Sequence, residues 1–202
     1  MCDSPFDLVH MDIWGSFSIP TLDGYIYFLT LVDDATRATW IFLMKAKSEA
    51  KALIVSFYNM IITQFNVKIK CFRSDNALEF KLSDFYFAKG IIHQTSYAYT
   101  PLQNFVVERK HQHILSLARV LQIQSNLPLP FLVDYVLIAV YLINRLPSSL
   151  LHNKTPYELL FRKFHSYSHL KAFGCLCFAS TTSPKPSKFS HRARKCVFIG
   201  YP

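Results

Sequence analysis

Glycine is scarce in this sequence. The 202 residues contain five glycines, whereas average usage of about 7% would supply about 14. Since glycine is the residue that adopts positive φ without steric cost, either the fold needs few such positions or other residues occupy them. Apolar side chains are plentiful, at 51% of the chain against 17% charged residues. That balance excludes a disordered chain and leaves enough material for a sizeable core.

Long apolar runs and targeting signals are also missing. The most apolar segment, residues 131–143, is short and contains Asp134, which favours a buried helix over a membrane span. The N-terminus lacks a charged region followed by an apolar stretch, so we expect no signal peptide. Five cysteines without a framework spacing or a CxxC pair exclude a secreted disulfide scaffold and predict an intracellular protein in a reducing compartment.

Acidic residues are rare in the second half of the chain. Residues 101–202 contain three acids, Glu108, Asp134 and Glu158, against 13 Lys and Arg, and the whole chain has a net charge of +9. A basic domain attracts polyanions by counterion release, so nucleic acid is the leading class of partner. A basic surface that serves only solubility is the alternative.

The order of patterns along the chain predicts an α/β fold. Alternating β-forming segments predict strands, and segments of helical periodicity predict helices. The predicted strands are 6–14, 25–32, 37–44, 67–72, 91–97, 172–179 and 195–201, and the predicted helices are 48–65, 83–89, 105–125, 131–146 and a short one from Thr155. We therefore predict a mixed five-stranded sheet flanked by helices, with its first three strands antiparallel. A Pro/Ser/Lys stretch at 180–190 is either a linker or a loop between two strands.

Three acids occupy positions at which α/β sheets gather functional groups. Asp12 is near the end of the first predicted strand, Asp75 follows the fourth, and Glu108 is in the first turn of the long helix. Carboxylate oxygens from separate elements suit a pair of Mg²⁺ ions, which serve phosphodiester chemistry. The alternative is that Asp75 is a turn residue and Glu108 an ordinary acid at a helix N-terminus.

Short motifs surround these acids and continue, in order, over nearly the whole chain. They are His10-Met11-Asp12-Ile13-Trp14-Gly15, Arg73-Ser74-Asp75-Asn76, Tyr99-Thr100-Pro101, Val106-Val107-Glu108-Arg109-Lys110-His111, Tyr141-Leu142-Ile143-Asn144-Arg145-Leu146-Pro147, Asn153-Lys154-Thr155-Pro156-Tyr157-Glu158 and Phe173-Gly174-Cys175. The series closely resembles the integrase core of copia-type LTR retrotransposon Pol polyproteins, within the retroviral-type integrase superfamily. The resemblance implies a ribonuclease H-like fold with a helical extension over 1–168, and a β-rich C-terminal region that begins at 169 and is truncated at 202.

The resemblance also implies a chemistry. The family's catalytic, metal-binding carboxylates map onto Asp12, Asp75 and Glu108, which would hold two Mg²⁺ or Mn²⁺ ions. The implied reaction is 3′-end processing of the element's DNA followed by strand transfer into target DNA, by a homo-oligomer acting in the nucleus. Basic and polar residues around Glu108 are candidate nucleic-acid contacts, with a solvated basic helix face as the alternative. They are Asn104, Arg109, Lys110, His111 and His113.

Several departures from the family pattern bear on activity. The family usually has glycines where this chain has Ala77, Leu78 and Phe105, and 32 residues separate Asp75 from Glu108, three fewer than is usual in the family. Bulky residues restrict φ, and catalysis tolerates misplacements of only about 1 Å. A catalytically impaired remnant that keeps the fold and binds nucleic acid non-specifically is therefore the second hypothesis. A cellular ribonuclease H-like nuclease is a third, which the Arg145-Leu146-Pro147 and Thr155-Pro156-Tyr157 motifs argue against.

Overall fold

A five-stranded mixed sheet forms the centre of the computed structural model, which describes residues 2–17, 19–21, 23–96, 105–180 and 192–201. The strands are β1 (Val9–Gly15), β2 (Tyr27–Asp33), β3 (Thr39–Met44), β4 (Cys71–Ser74) and β5 (Ile92–Thr95). They lie in the order β3-β2-β1-β4-β5. The first three are antiparallel, and β4 and β5 run parallel to β1. This confirms the predicted mixed sheet.

Helices cover both faces of the sheet. α1 (Ala50–Phe65) and α2 (Ser83–Lys89) pack on one face, where Met11 and Leu29 are fully buried. α3 (Phe105–Ser125) and α4 (Leu132–Ile143) pack on the other face, against Phe28 and its neighbours. Because side chains alternate along a strand, each central strand supplies both cores. Asp12 therefore points toward the α3 side, while Met11 and Ile13 point toward α1.

The C-terminal part of the described chain extends from α4. A short helix, α5 (Pro156–Phe161), is followed by a separate antiparallel hairpin of β6 (Leu176–Ser180) and β7 (Ala193–Val197). The Tyr201 ring stacks on Tyr141 of α4 with 4.4 Å between centroids. The predicted Pro/Ser/Lys stretch lies, apart from Ser180, outside the described residues. None of the described helices is both long and apolar enough to span a membrane.

Residues other than glycine fill many of the positive-φ positions. Seven described non-glycine residues have φ between 52° and 67°, and three of them are asparagines, Asn66, Asn126 and Asn153. Asparagine tolerates the left-handed region better than most residues. Asparagine and a few other residues therefore take the place of glycine at positive-φ positions in turns and at helix ends.

One glycine position does need glycine. Gly174 has a φ of +80°, and a Cβ built there would lie 2.5 Å from Cβ of Ser125. Gly174 passes close to Ser125, the last residue of α3. This close approach fixes the position of the segment that leads into the C-terminal hairpin.

The outer edge of β3 is covered by a side chain. Asn144, directly after α4, accepts a hydrogen bond from the backbone N–H of Thr39 at 2.9 Å and donates one to its carbonyl at 2.8 Å. These two bonds replace the pairing that a neighbouring strand would give. They also fix the end of α4 against the sheet.

Candidate active site

The sheet register brings two of the predicted acids level with each other. In the parallel pair of β1 and β4, Val9 is opposite Phe72 and His10 is opposite Arg73. The same offset carries Asp12 level with Asp75, the residue that follows β4. Adjacent strands lie about 4.8 Å apart, so the two carboxylates belong to one end of neighbouring strands. Asp75 is exposed, and its Oδ1 accepts a hydrogen bond from the N–H of Ala77 at 3.1 Å.

α3 brings the third acid to the same place. His111 of this helix is buried, with Nε2 2.9 Å from Oγ1 of Thr30 and Nδ1 3.6 Å from Oδ2 of Asp12. Thr30 is the residue opposite Asp12 in the antiparallel pair of β1 and β2. Glu108 lies three residues before His111, on the same side of the helix and one turn nearer its N-terminus. The packing of His111 over β1 and β2 therefore aims Glu108 toward Asp12.

The negative charges of Asp75 and Glu108 act on the carboxyl group of Asp12. Burial raises the pKa of Asp12 to about 7, and the negative charges of Asp75 and Glu108 act in the same direction. The N–H of Ile13, which donates to Oδ1 of Asp12 at 2.8 Å, opposes the rise. Burial lowers the pKa of His111 to about 4, so the ring is neutral at pH 7. The neutral imidazole of His111 thus lies beside Asp12 at a distance longer than that of a hydrogen bond.

This donor set suits a divalent metal in its chemistry. Carboxylate oxygens are the ligands that Mg²⁺ prefers, and a cation would relieve the repulsion that raises the pKa of Asp12. Within the described ranges, no three His, Cys, Asp or Glu side chains already form a cluster that could hold a metal ion. The three acids therefore lie in one region of the molecule, but they are not arranged as a complete set of metal ligands.

The predicted nucleic-acid contacts differ in their positions. Arg109 is exposed, with its guanidinium 3.6 Å from the ring centroid of Phe105, and His113 is exposed as well. Lys110 turns inward, and its Nζ donates to the carbonyl of Arg37 at 3.5 Å. Burial and the charge of Arg37 lower the pKa of Lys110 to about 8. Asn104 lies outside the described residues.

His111 requires a correction. It was expected on the basic face of α3, but its ring is buried between Thr30 and Asp12, with 6% of the residue exposed. In that position it lies beside Asp12 and is not available to a phosphate. Its spacing from Val107 and Ile114, which line the buried side of α3, is the signal that places it inside.

Ala77, Leu78 and Phe105, which stand where the family usually has glycine, do not adopt left-handed backbone conformations. Ala77 has a φ of −68°, Leu78 begins a 3₁₀ turn over Leu78–Phe80, and Phe105 is the first residue of α3. None of the three is among the described residues with positive φ. Leu78 is 72% exposed and Phe105 37% exposed. Leu78 and Phe105 thus add exposed apolar surface within three residues of Asp75 and Glu108 in sequence, without positive-φ strain at these positions.

Thr30 and Arg37 are site residues that the sequence did not single out. Thr30 holds His111, and Arg37 holds the end of the Lys110 side chain. Thr30 follows from the strand register once β1 and β2 are paired. No pattern in the sequence indicates that Arg37, in the turn after β2, meets α3.

The chain is similar to known protein families and to proteins encoded by transposons. The family model of the integrase core domain matches residues 3–101, and that of the retroviral polymerase SH3-like domain matches residues 175–202. The chain is 36% identical over 198 residues to the retrovirus-related Pol polyprotein from transposon RE1 of Arabidopsis thaliana, and 34% identical to that from transposon TNT 1-94 of Nicotiana tabacum. These matches cover 98% and 96% of this chain, which spans 13% and 15% of the two polyproteins.

Similar folds occur among retroviral integrase structures. The HTLV-2 integrase catalytic core domain in complex with magnesium (trimeric form) matches with a TM-score of 0.56 at 19% identity, over 77% of this chain and 96% of that chain. The simian T-cell lymphotropic virus intasome in complex with PP2A regulatory subunit B56 gamma matches with a TM-score of 0.61 at 19% identity, over 97% of this chain and 69% of that chain. At this identity the likeness is one of fold.

Proposed function

The chain belongs to the integrase core family found in copia-type retrotransposon Pol polyproteins, and from that premise we propose that it catalyses metal-dependent 3′-end processing and strand transfer of retrotransposon DNA. In the first step a water oxygen bonds to a phosphorus near the DNA end, and the bond from phosphorus to the 3′-oxygen breaks. In the second step the freed 3′-hydroxyl attacks a phosphorus of target DNA, with release of a target 3′-oxygen. The proposal makes this chain a D,D,E polynucleotidyl transferase.

Asp12, Asp75 and Glu108 are the residues that would hold Mg²⁺ or Mn²⁺. Two such ions, when bound, activate the attacking oxygen and stabilise the leaving oxygen of a phosphodiester displacement. The observation that supports the proposal is the strand register that carries Asp12 level with Asp75, together with the packing of His111, one turn from Glu108, against Asp12. His111 and Thr30 would position Asp12 by closing the space beside its carboxylate.

DNA is the proposed partner, as the element end and as the target. One similar structure is an intasome and another is a trimeric form of an integrase catalytic core, and we propose that this chain also acts as a homo-oligomer in the nucleus. Arg109 and His113, exposed on the N-terminal half of α3, are candidate phosphate contacts.

We also propose that residues 1–168 form the core with its helical extension and that residues 169–202 form a β-rich region.

A catalytically impaired remnant that binds nucleic acid non-specifically is the second candidate. Two observations favour it. The described acids do not form a ready cluster for a metal ion, and exposed apolar side chains occur at Leu78, three residues after Asp75, and at Phe105, three residues before Glu108. Both candidate functions use the same fold. They differ in whether the three acids can bind metal ions and catalyse the reaction.

A branched DNA duplex tests the proposal without knowledge of the element's terminal sequence. Its free 3′-hydroxyl attacks the phosphodiester at the branch, which reverses strand transfer and uses the same catalytic groups. We expect product from the unmodified chain with Mg²⁺ or Mn²⁺, and none with EDTA. Asp12→Asn and Glu108→Gln should each abolish product. The matched control, Asp84→Asn, removes an exposed carboxylate of α2 and should retain it.

The outcomes separate the two candidates. Metal-dependent product that disappears with Asp12→Asn supports the transferase. Duplex binding without product in either metal, by a chain whose circular dichroism shows a folded α/β protein, supports the remnant. Product that survives Asp12→Asn would mean that the chemistry lies elsewhere.

A further inference from the structure

An open groove of about 440 Å³ runs along α3 on the side turned away from the acids. It is lined from α3 by Phe105, Val106, Arg109, Lys110 and His113. At about 100° per residue, Val106, Lys110 and His113 lie on the side of the helix opposite Glu108, and Phe105 and Arg109 lie between the two sides. Its volume falls within the range of about 300–1,000 Å³ that is typical of ligand-binding clefts.

One wall of the groove is cationic. Arg109, Lys110 and His113 come from α3, and Arg37 comes from the turn between β2 and β3. The hydrogen bond of the Lys110 ammonium is to a backbone carbonyl, that of Arg37. Among the residues that the structure describes, no carboxylate lines the groove. The wall therefore offers positive charge to a ligand from outside.

Arg37 is held firmly in this wall. Its Nη2 lies 3.2 Å from Oδ1 of Asp34, while its Nε is buried and has no hydrogen-bond partner among the described groups. The backbone of Arg37 is left-handed, with a φ of 59°, and its N–H donates to the carbonyl of Asp33 at 2.9 Å. A non-glycine residue keeps such a conformation only where its surroundings determine it. The turn thus presents a fixed cation at one end of the groove.

The opposite wall is apolar. It is formed by the segment between α4 and α5, where Leu146 is 48% exposed and Leu150 is 57% exposed, with Pro147 between them. Leu146, Pro147 and Leu150 therefore give this wall an exposed apolar surface. The two walls together form an amphipathic groove, with charge on the α3 side and apolar side chains on the other.

We propose that this groove binds an acidic amphipathic segment of a partner protein, with carboxylates toward α3 and apolar side chains toward Leu146 and Leu150. Charge complementarity favours this occupant, because each wall then meets its counterpart. A DNA duplex offers phosphates to the cations but has no apolar face for the leucine wall. The proposal goes beyond the integrase reaction and does not depend on it, since the groove and the acids lie on opposite sides of α3.

Fluorescence anisotropy with designed peptides tests the proposal. The probe is a labelled peptide of about 16 residues that places Glu and Leu on opposite faces of a helix. One control peptide has Lys for every Glu, and another has Ser for every Leu. We expect saturable binding of the probe alone. Lys110→Met and Leu150→Ser should each weaken it about tenfold, while Lys51→Met, which removes an exposed lysine of α1, should leave it within about twofold.

Competition with a DNA duplex decides between the two kinds of partner. Since Arg109 and His113 are also candidate phosphate contacts, the duplex competes for the cationic wall alone, and Leu150→Ser should weaken peptide binding about tenfold while leaving duplex binding within about twofold. Equal binding of the three peptides, or no effect of either groove variant in a chain with unchanged circular dichroism, overturns the proposal. So do equal losses of peptide and duplex binding in Leu150→Ser, which would make the groove a nucleic-acid contact.

Discussion

Asp12 carries a charge that the metal-free fold does not favour. Its side chain is 20% exposed, and burial together with the nearby carboxylates raises its pKa to about 7. In an unfolded chain an aspartate has a pKa of about 3.9. The folded protein therefore retains a proton that the unfolded chain releases between about pH 4 and pH 7. Stability must fall as the pH rises through this window.

Asp12→Asn should stabilise the metal-free protein at alkaline pH. The amide has nearly the same shape and no charge, so the variant should exceed the unmodified chain at pH 8 by up to about 4 kcal/mol. The gain should shrink toward zero near pH 4. Urea unfolding in EDTA at both pH values measures the difference. Asp84→Asn, an exposed control, should change stability by less than about 0.5 kcal/mol at either pH. An equal gain at both pH values would contradict the assignment to the charge of Asp12.

Individual site residues were predictable to different degrees. Asp12, Asp75 and Glu108 stand out because they end strands or begin a helix, which local patterns reveal. His111 lies in line with the buried apolar residues of α3, so the helical spacing indicates its burial, although we expected it at the surface. The inward turn of Lys110 depends on Arg37, which is 73 residues away in sequence. Such a contact follows from tertiary packing and leaves no local signature.

The helices match their predicted limits better than the strands do. α2 and α3 begin and end where periodicity and the C-terminal Gly90 place them, and Gly90 has a φ of 66°. β4 was predicted at 67–72 and lies at Cys71–Ser74. Its limits are set by parallel pairing with β1 and β5, whereas Val67 and Ile69 have strand-forming side chains outside those paired ranges. Pairing partners decide where a strand begins, and the sequence of one strand does not contain them.

Gly174→Ala and Gly24→Ala form a matched pair that separates crowding from backbone conformation. Both glycines have a φ near +80°, but only at Gly174 would a Cβ meet other atoms, 2.5 Å from Cβ of Ser125; Gly24 has nothing within 4 Å. The left-handed conformation costs roughly 1–2 kcal/mol for either alanine. Gly174→Ala should lose more, because α3 and the hairpin must also move apart. Urea unfolding of both variants measures this difference, and equal losses would mean that the junction yields freely.

Charge is the property of the whole molecule that most affects its partners. The net charge of +9 arises in the second half of the chain, which forms α3, α4, α5 and the C-terminal hairpin. The acids of the candidate site lie between the sheet and this basic half. The basic half is therefore the part of the chain that would attract a polyanion such as the proposed DNA substrate.

Binding of duplex DNA should depend strongly on salt. If several lysines and arginines neutralise phosphates, counterion release lowers the affinity at least about tenfold between 50 and 200 mM monovalent salt. Fluorescence anisotropy with a labelled duplex at four salt concentrations gives the slope. Arg194→Gln, which removes an exposed charge of β7, should reduce the slope by about 1 if that arginine contacts a phosphate. An affinity that salt leaves unchanged would argue against an electrostatic interface.

The cover on β3 bears on how copies of this chain meet one another. An uncovered edge strand offers free N–H and carbonyl groups to the edge of another molecule, and such contacts seed aggregation. At Thr39 both groups are already engaged by Asn144, so an incoming strand would have to displace the amide before it could pair there. The same side chain that fixes α4 therefore opposes strand pairing with another copy at Thr39, the first residue of β3.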